Sequence, residues 1–184
     1  MVPTDKPLLF LDVDGVLNPV RPRAEAGFRT HSLLGTRVLL SRAHGRWLRE
    51  LADVYDLVWA TTWEQYANEL ICPLLGLPAL PVVPLTAPEP VAACAMAGGS
   101  GRSWSWSGGY DDADALAEDG DWHPILRFAD DRPFAWLDDV IPTRLLQSCA
   151  RREDRLLVPV DPGEGLRRRE VDILLRRPPR RPHA

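Results

Sequence analysis

Lysine is nearly missing from this sequence: Lys6 is the single one among 22 basic side chains, which stand against 26 acidic ones. The formal net charge of -4 carries no excess that would demand nucleic acid or a membrane surface as partner. Cysteine is scarce as well. Cys72, Cys94 and Cys149 are odd in number and far apart, which excludes a disulfide framework and a zinc knuckle and fits a reducing compartment. No apolar run approaches the ~20 residues that cross a bilayer. Met1 to Pro7 shows no basic stretch leading into an apolar segment and cleavage site, so the expectation is a cytoplasmic protein without a signal peptide. Internal repeats are absent too.

What remains is ordinary globular material, 45% hydrophobic and 26% charged over 184 residues, enough for one domain with a real core. Short apolar runs recur: Leu8 to Val13, Leu57 to Ala60, Leu80 to Leu85, Phe134 to Leu137 and Leu156 to Val160. They read as buried parallel strands, the third one short because prolines interrupt it. Between them the pattern predicts a helix capped by Ser41 and running to about Val54, with Trp47, Leu48 and Leu51 inward. Further helices are expected over Glu64 to Leu75, from Pro124 onward, over Thr143 to Arg151, and after the turn at 162–165. Residues 19–40, with Pro19, Pro22, Gly27 and Gly35, read as a long loop or small flap. Residues 86–121, rich in Gly, Ser and acids, read as a flexible insertion, and 176–184 as a basic, proline-rich, solvated tail. The chain is thus expected to be one α/β domain over 1–175: a three-layer sandwich with a central parallel sheet and helices on both faces.

In such folds ligands bind at the carboxyl ends of the strands. Here three separate strands end in Asp12-Val13-Asp14-Gly15, Thr61-Thr62 and Asp138-Asp139. Two carboxylates two residues apart at a strand end can divide labour. Asp12 can attack phosphorus; Asp14 can protonate the leaving oxygen and then activate water. Gly15 permits the sharp turn between strand and loop. Anions approaching a phosphate need a cation, since each like-charge pair costs on the order of 4 kcal/mol at ~4 Å and an effective dielectric near 20. Hard oxygen ligands point to Mg²⁺, held by Asp12, the backbone carbonyl of Asp14, and Asp138 or Asp139. The Thr61 hydroxyl would meet a phosphate oxygen, with Thr62 as the alternative. A calcium loop is excluded, because Val16, Leu17 and Arg23 stand where an EF-hand needs an oxygen ligand, glycine and glutamate.

The run Leu9-Phe10-Leu11-Asp12-Val13-Asp14-Gly15-Val16-Leu17-Asn18 closely resembles the first motif of haloacid dehalogenase (HAD) phosphatases. Leu57 to Thr61 resembles their second motif and Trp136-Leu137-Asp138-Asp139 their acidic fourth one. The stretch from Trp59 through Asn68 also resembles a group of small bacterial HAD proteins. The resemblance implies a Rossmann-like, HAD-like fold with minimal or no cap, a Mg²⁺ cofactor and phosphoester hydrolysis. One departure stands out. The family's third motif supplies a lysine or arginine before the fourth strand, and Lys6, ahead of the first strand, cannot serve. By position His123 is the substitute and Arg127, one turn on, the second candidate. The expected phosphate-binding set is therefore Thr61, Thr62, Gly15 and His123.

Neither 19–40 nor 86–121 resembles a full cap domain, so the site is expected to be open, which favours larger substrates. Trp104, Trp106 and Tyr110 in the insertion are of the kind that stack on a base. The leading expectation is a phosphomonoester hydrolase acting on a phosphorylated substrate, a small molecule or a nucleic-acid end. A 3′-phosphate nucleic-acid end-processing phosphatase and a non-catalytic HAD-fold binding module are the alternatives.

Overall fold

Strand β1 (Leu8–Leu11) has all four residues buried, because it is hydrogen-bonded in parallel to a neighbour on each side. The structure is a computed structural model that describes residues 5–20, 22, 27–85 and 123–181, with His123 described in its backbone alone. The expected insertion at 86–121, with Trp104, Trp106 and Tyr110, lies outside the described residues.

The remaining elements follow in order. A hairpin of β2 (Phe28–Leu33) and β3 (Thr36–Ser41) leads into α1 (Arg42–Ala52), then β4 (Asp56–Trp59). A π-helical turn (Ala67–Ile71) runs into α2 (Cys72–Leu75). Past residue 122 come α3 (His123–Ala129), β5 (Phe134–Asp138), α4 (Thr143–Cys149), β6 (Arg155–Pro159) and α5 (Arg168–Arg176). The main sheet has the order β4-β1-β5-β6 with every pair parallel.

The period of two along each strand sorts its side chains onto two faces. Leu9, Leu11, Leu57, Trp59, Ala135 and Leu137 enter one apolar layer, closed by Leu48 and Leu51 of α1, Ile71 and Leu75 around α2, and Val171 and Leu174 of α5. Leu8, Phe10, Val58, Phe134 and Trp136 enter the other, closed by Ile125 and Ala129 of α3 and Leu145 and Cys149 of α4. This is the expected three-layer α/β sandwich.

Ser41 caps α1 as anticipated, its hydroxyl accepting from the Ala43 N–H at 3.2 Å. Gly45 sits where α1 crosses the end of α2, and a Cβ there would overlap the Leu75 carbonyl oxygen. Backbone cannot yield as a flexible side chain does. Gly45→Ala is therefore expected to destabilise the fold by about 1–3 kcal/mol, despite alanine's better helix propensity, as read from the denaturation midpoint.

Three expectations change. Residues 28–41 are not a loop but an antiparallel hairpin. Its two-residue turn, Leu34-Gly35, has positive φ at both positions (50° and 75°), the geometry that matches strand twist. The third predicted strand shrinks to one bridge, Trp59 to Val82, on the outer side of β4. Pro81 and Pro84 have no N–H to extend the ladder, and the contact rests on Trp59 N–H to Pro81 O and Val83 N–H to Trp59 O, both 2.8 Å. The tail is docked over its first residues: Pro179 is buried, and the Arg180 N–H donates to Glu153 O at 2.8 Å.

Candidate active site

Because the four strands are parallel, their carboxyl ends share one edge. Asp12 still belongs to the ladder, its N–H donating to Leu137 O at 3.2 Å. The chain then turns sharply. The Val13 carbonyl accepts from Val16, Leu17 and Asn18, and Gly15, at φ 76°, closes the turn through its N–H to Asn18 O at 2.8 Å. Val13, Val16 and Leu17 are buried, so packing pins the turn against the sheet.

One oxygen each from Asp12, Asp138 and Asp139 lies within 4.8 Å of the others. The cluster is electrostatically loaded. Burial, then the neighbouring Asp138, pushes the Asp12 carboxyl well above the usual range, while the Val13 N–H and the Thr61 hydroxyl pull the other way. Burial raises Asp138 against the Val140 N–H, which donates to it at 2.7 Å. Asp139 is pushed up to about 6 by burial and then by Asp138. Three oxygen donors that resist ionising together have the chemistry a hard divalent cation requires. Gly15 contributes space: a Cβ at that position would overlap the Asp139 carboxylate, so the acid lies directly on the turn.

Asp14 stands outside this cluster. Its Oδ1 accepts from Asn18 Nδ2 at 2.7 Å and its Oδ2 from Trp63 Nε1 at 2.8 Å. Asn18 is itself oriented from the hairpin, since its Oδ1 accepts the Leu39 N–H at 2.8 Å. Asn18 and Trp63 are the residues that sequence reasoning passed over as holders of Asp14. Both lie inside the motif stretches, but only the fold shows that their donors converge on one carboxylate. Trp63→Phe removes one of these donors and keeps the ring. It is expected to lower kcat about 10-fold with KM nearly unchanged, as a charged hydrogen bond of about 1.5 kcal/mol implies. Steady-state kinetics on an aryl phosphate check this.

The remaining expected residues separate. Thr61 is buried beside Asp12, whereas the side chain of its neighbour Thr62 is exposed. Lys6 is at the opposite edge, its Nζ donating to Ala52 O at the end of α1 at 2.8 Å. His123 opens α3, and its side chain lies outside the described residues; Arg127 is exposed on the same helix. No helix among the described residues is long and apolar enough to cross a membrane.

A family model described as the HAD domain in Swiss Army Knife RNA repair proteins matches residues 8–171. Comparison with curated proteins and with solved structures gives no significant match.

Proposed function

We propose, from a chain that belongs to the HAD domains of Swiss Army Knife RNA repair proteins, a Mg²⁺-dependent phosphomonoester hydrolase that works through an aspartyl-phosphate. The carrying observation is the division of the carboxylates at one sheet edge. Asp12, Asp138 and Asp139 share a cluster, while Asp14 is held apart by two donors. A site that only bound a cation would have no use for a fourth acid fixed in that way.

In this reading Asp12 Oδ attacks phosphorus, the phosphorus–oxygen bond to the leaving group breaks, and Asp14 gives that oxygen its proton. Asp14 then takes a proton from water, which attacks phosphorus and releases phosphate and free Asp12. Thr61 donates to a phosphate oxygen. Asp12, Asp138 and Asp139 would hold Mg²⁺, which supplies charge neutralisation at the phosphoryl group. His123 takes the place of the missing cation. In support, α3 ends shortly before β5 begins, so its first residue lies toward the carboxyl edge and Arg127 farther from it.

The family's description favours a phosphorylated RNA end as substrate. The test compares a 3′-phosphorylated RNA oligonucleotide, a 5′-phosphorylated one, a nucleoside monophosphate and an aryl phosphate, each with Mg²⁺ and with EDTA. Metal-dependent phosphate release, highest with an RNA end, is the expected result. Release undiminished by EDTA would remove the metal from the mechanism. No release from any substrate would move the reading to a non-catalytic binding module.

A further inference from the structure

A groove of about 490 Å³ lies at the amino end of β6, the sheet edge opposite the one that carries the acidic cluster. One wall is the turn that precedes β6, with Arg151, Arg152 and Arg155; the other is the chain leaving α5, with Arg176, Arg177 and Arg180. Across 150–156 and 176–181, seven arginines face two acids, Glu153 and Asp154, in a chain whose net charge is negative. The groove therefore concentrates a charge that the composition as a whole conceals. Two of its arginines are fixed in place. Arg152 makes a bidentate pair with Asp154 at 2.8 and 2.7 Å, and Arg155 lies over the Phe134 ring at 5.6 Å. The side chains of Arg151, Arg176, Arg177 and Arg180 have no ion-pair partner among the described residues. The shape comes from the docked tail, where buried Pro179 and the bond from Arg180 N–H to Glu153 O hold the second wall against the first.

We infer that this groove binds the phosphodiester backbone of single-stranded RNA upstream of the end presented to Asp12. The choice of RNA rests on the function proposed above. The chemistry of the groove stands on its own. Guanidinium forks match phosphate oxygens two at a time and lose little order in doing so. Several unpaired forks along one groove suit a polymer of phosphates better than a single anion. The placement fits as well. The groove adjoins the amino end of β6, and the acidic cluster lies at the carboxyl ends of β1 and β5, next to it in the sheet. Five strand residues at about 3.3 Å each separate the two edges by roughly 16 Å, about five stacked nucleotides at ~3.4 Å per phosphate.

The test is fluorescence anisotropy with a 12-nucleotide RNA ending in hydroxyls, in EDTA, so that neither the metal nor a terminal phosphate contributes. The parent is expected to bind with strong salt dependence. A variant carrying Arg176→Ala, Arg177→Ala and Arg180→Ala is expected to bind at least about 10-fold more weakly and to lose about two from the salt slope, at ~0.7 per phosphate contact. Arg151→Glu repeats the measurement from the opposite wall should the triple variant melt early. Aryl phosphate turnover is expected to be unchanged in both. RNA binding that holds where turnover is absent would leave the groove standing and remove the phosphatase reading. Equal RNA affinity in parent and both variants would overturn the inference, as would tighter binding of an acidic polyglutamate peptide than of RNA.

Discussion

Replacing Asp12 with Asn is expected to cut aryl phosphate turnover about 10⁴-fold or more, since in the proposed mechanism Asp12 alone attacks phosphorus while its neighbours Asp138 and Asp139 serve the metal. Loss of structure would not account for it. Asp12 is half-buried beside Asp138, and that partial burial with its charged neighbour holds its carboxyl well above the ordinary range. A raised acid binds its proton more tightly in the folded chain than in the unfolded one. Its stabilising contribution is then complete below the unfolded value and is lost as pH rises toward the folded one. Without metal at neutral pH the parent bears this cost and the Asn variant does not. In EDTA the variant should therefore melt at or above the parent's temperature at pH 7.5, and the two should converge near pH 4. Mg²⁺ should raise the parent's melting temperature most at the higher pH, where its ligands are deprotonated. His44 works in the opposite direction. Burial lowers it to about 4, so its contribution falls as pH drops below about 6.5. It is common to both proteins and cancels in their difference. A variant that melts well below the parent in EDTA at pH 7.5 would mean that Asp12 is not a strained carboxylate.

The second large effect is expected at Gly15. Its φ of 76° already disfavours a side chain, and a Cβ would occupy the volume of the Asp139 carboxylate. Gly15→Ala must displace Asp139, twist the turn, or both. Backbone strain alone costs about 1–2 kcal/mol. Displacing one acid of three should weaken Mg²⁺ binding about 10- to 100-fold and lower kcat/KM at least in step. Gly27 and Gly35 provide the control. They share positive φ, yet nothing lies within 4 Å of a Cβ at either. Calorimetric Mg²⁺ titration and a melting curve on all three alanine variants separate strain from displacement. If Gly15→Ala lost no more metal affinity than the other two, Asp139 would not be needed where it lies.

Much of the sheet was legible because buried parallel strands are continuous apolar runs, and β1, β4, β5 and β6 fall within two residues of their expected bounds. The acids of the site were legible for a related reason: polar residues that end apolar runs have few structural explanations. The hairpin was not. Phe28–Leu33 carries Arg29, Thr30, His31 and Ser32 in a row, so alternation is hidden, and its turn uses a leucine at positive φ that no turn pattern anticipates. Nor could spacing show that Asn18 and Trp63 meet on Asp14, since Trp63 reaches it across 49 residues of chain. The docking of the tail depended on Glu153 offering a carbonyl from a distant loop, a contact with no local signature.

Asn18 takes its orientation from the main chain of β3, and Asp14 takes one of its two donors from Asn18. The acid proposed to handle the proton thus depends on a ribbon whose ladder pairs only with itself, outside the main sheet. Val38 and Leu40 of β3 are buried in the core, so opening the ribbon must give up that packing as well as its two-strand ladder. Each opening would loosen Asp14 while leaving Asp12, fixed just past the end of β1, in register. The observed rate would then be the intrinsic rate multiplied by the fraction of time the ribbon is closed, and amide exchange at Leu39 would report that fraction.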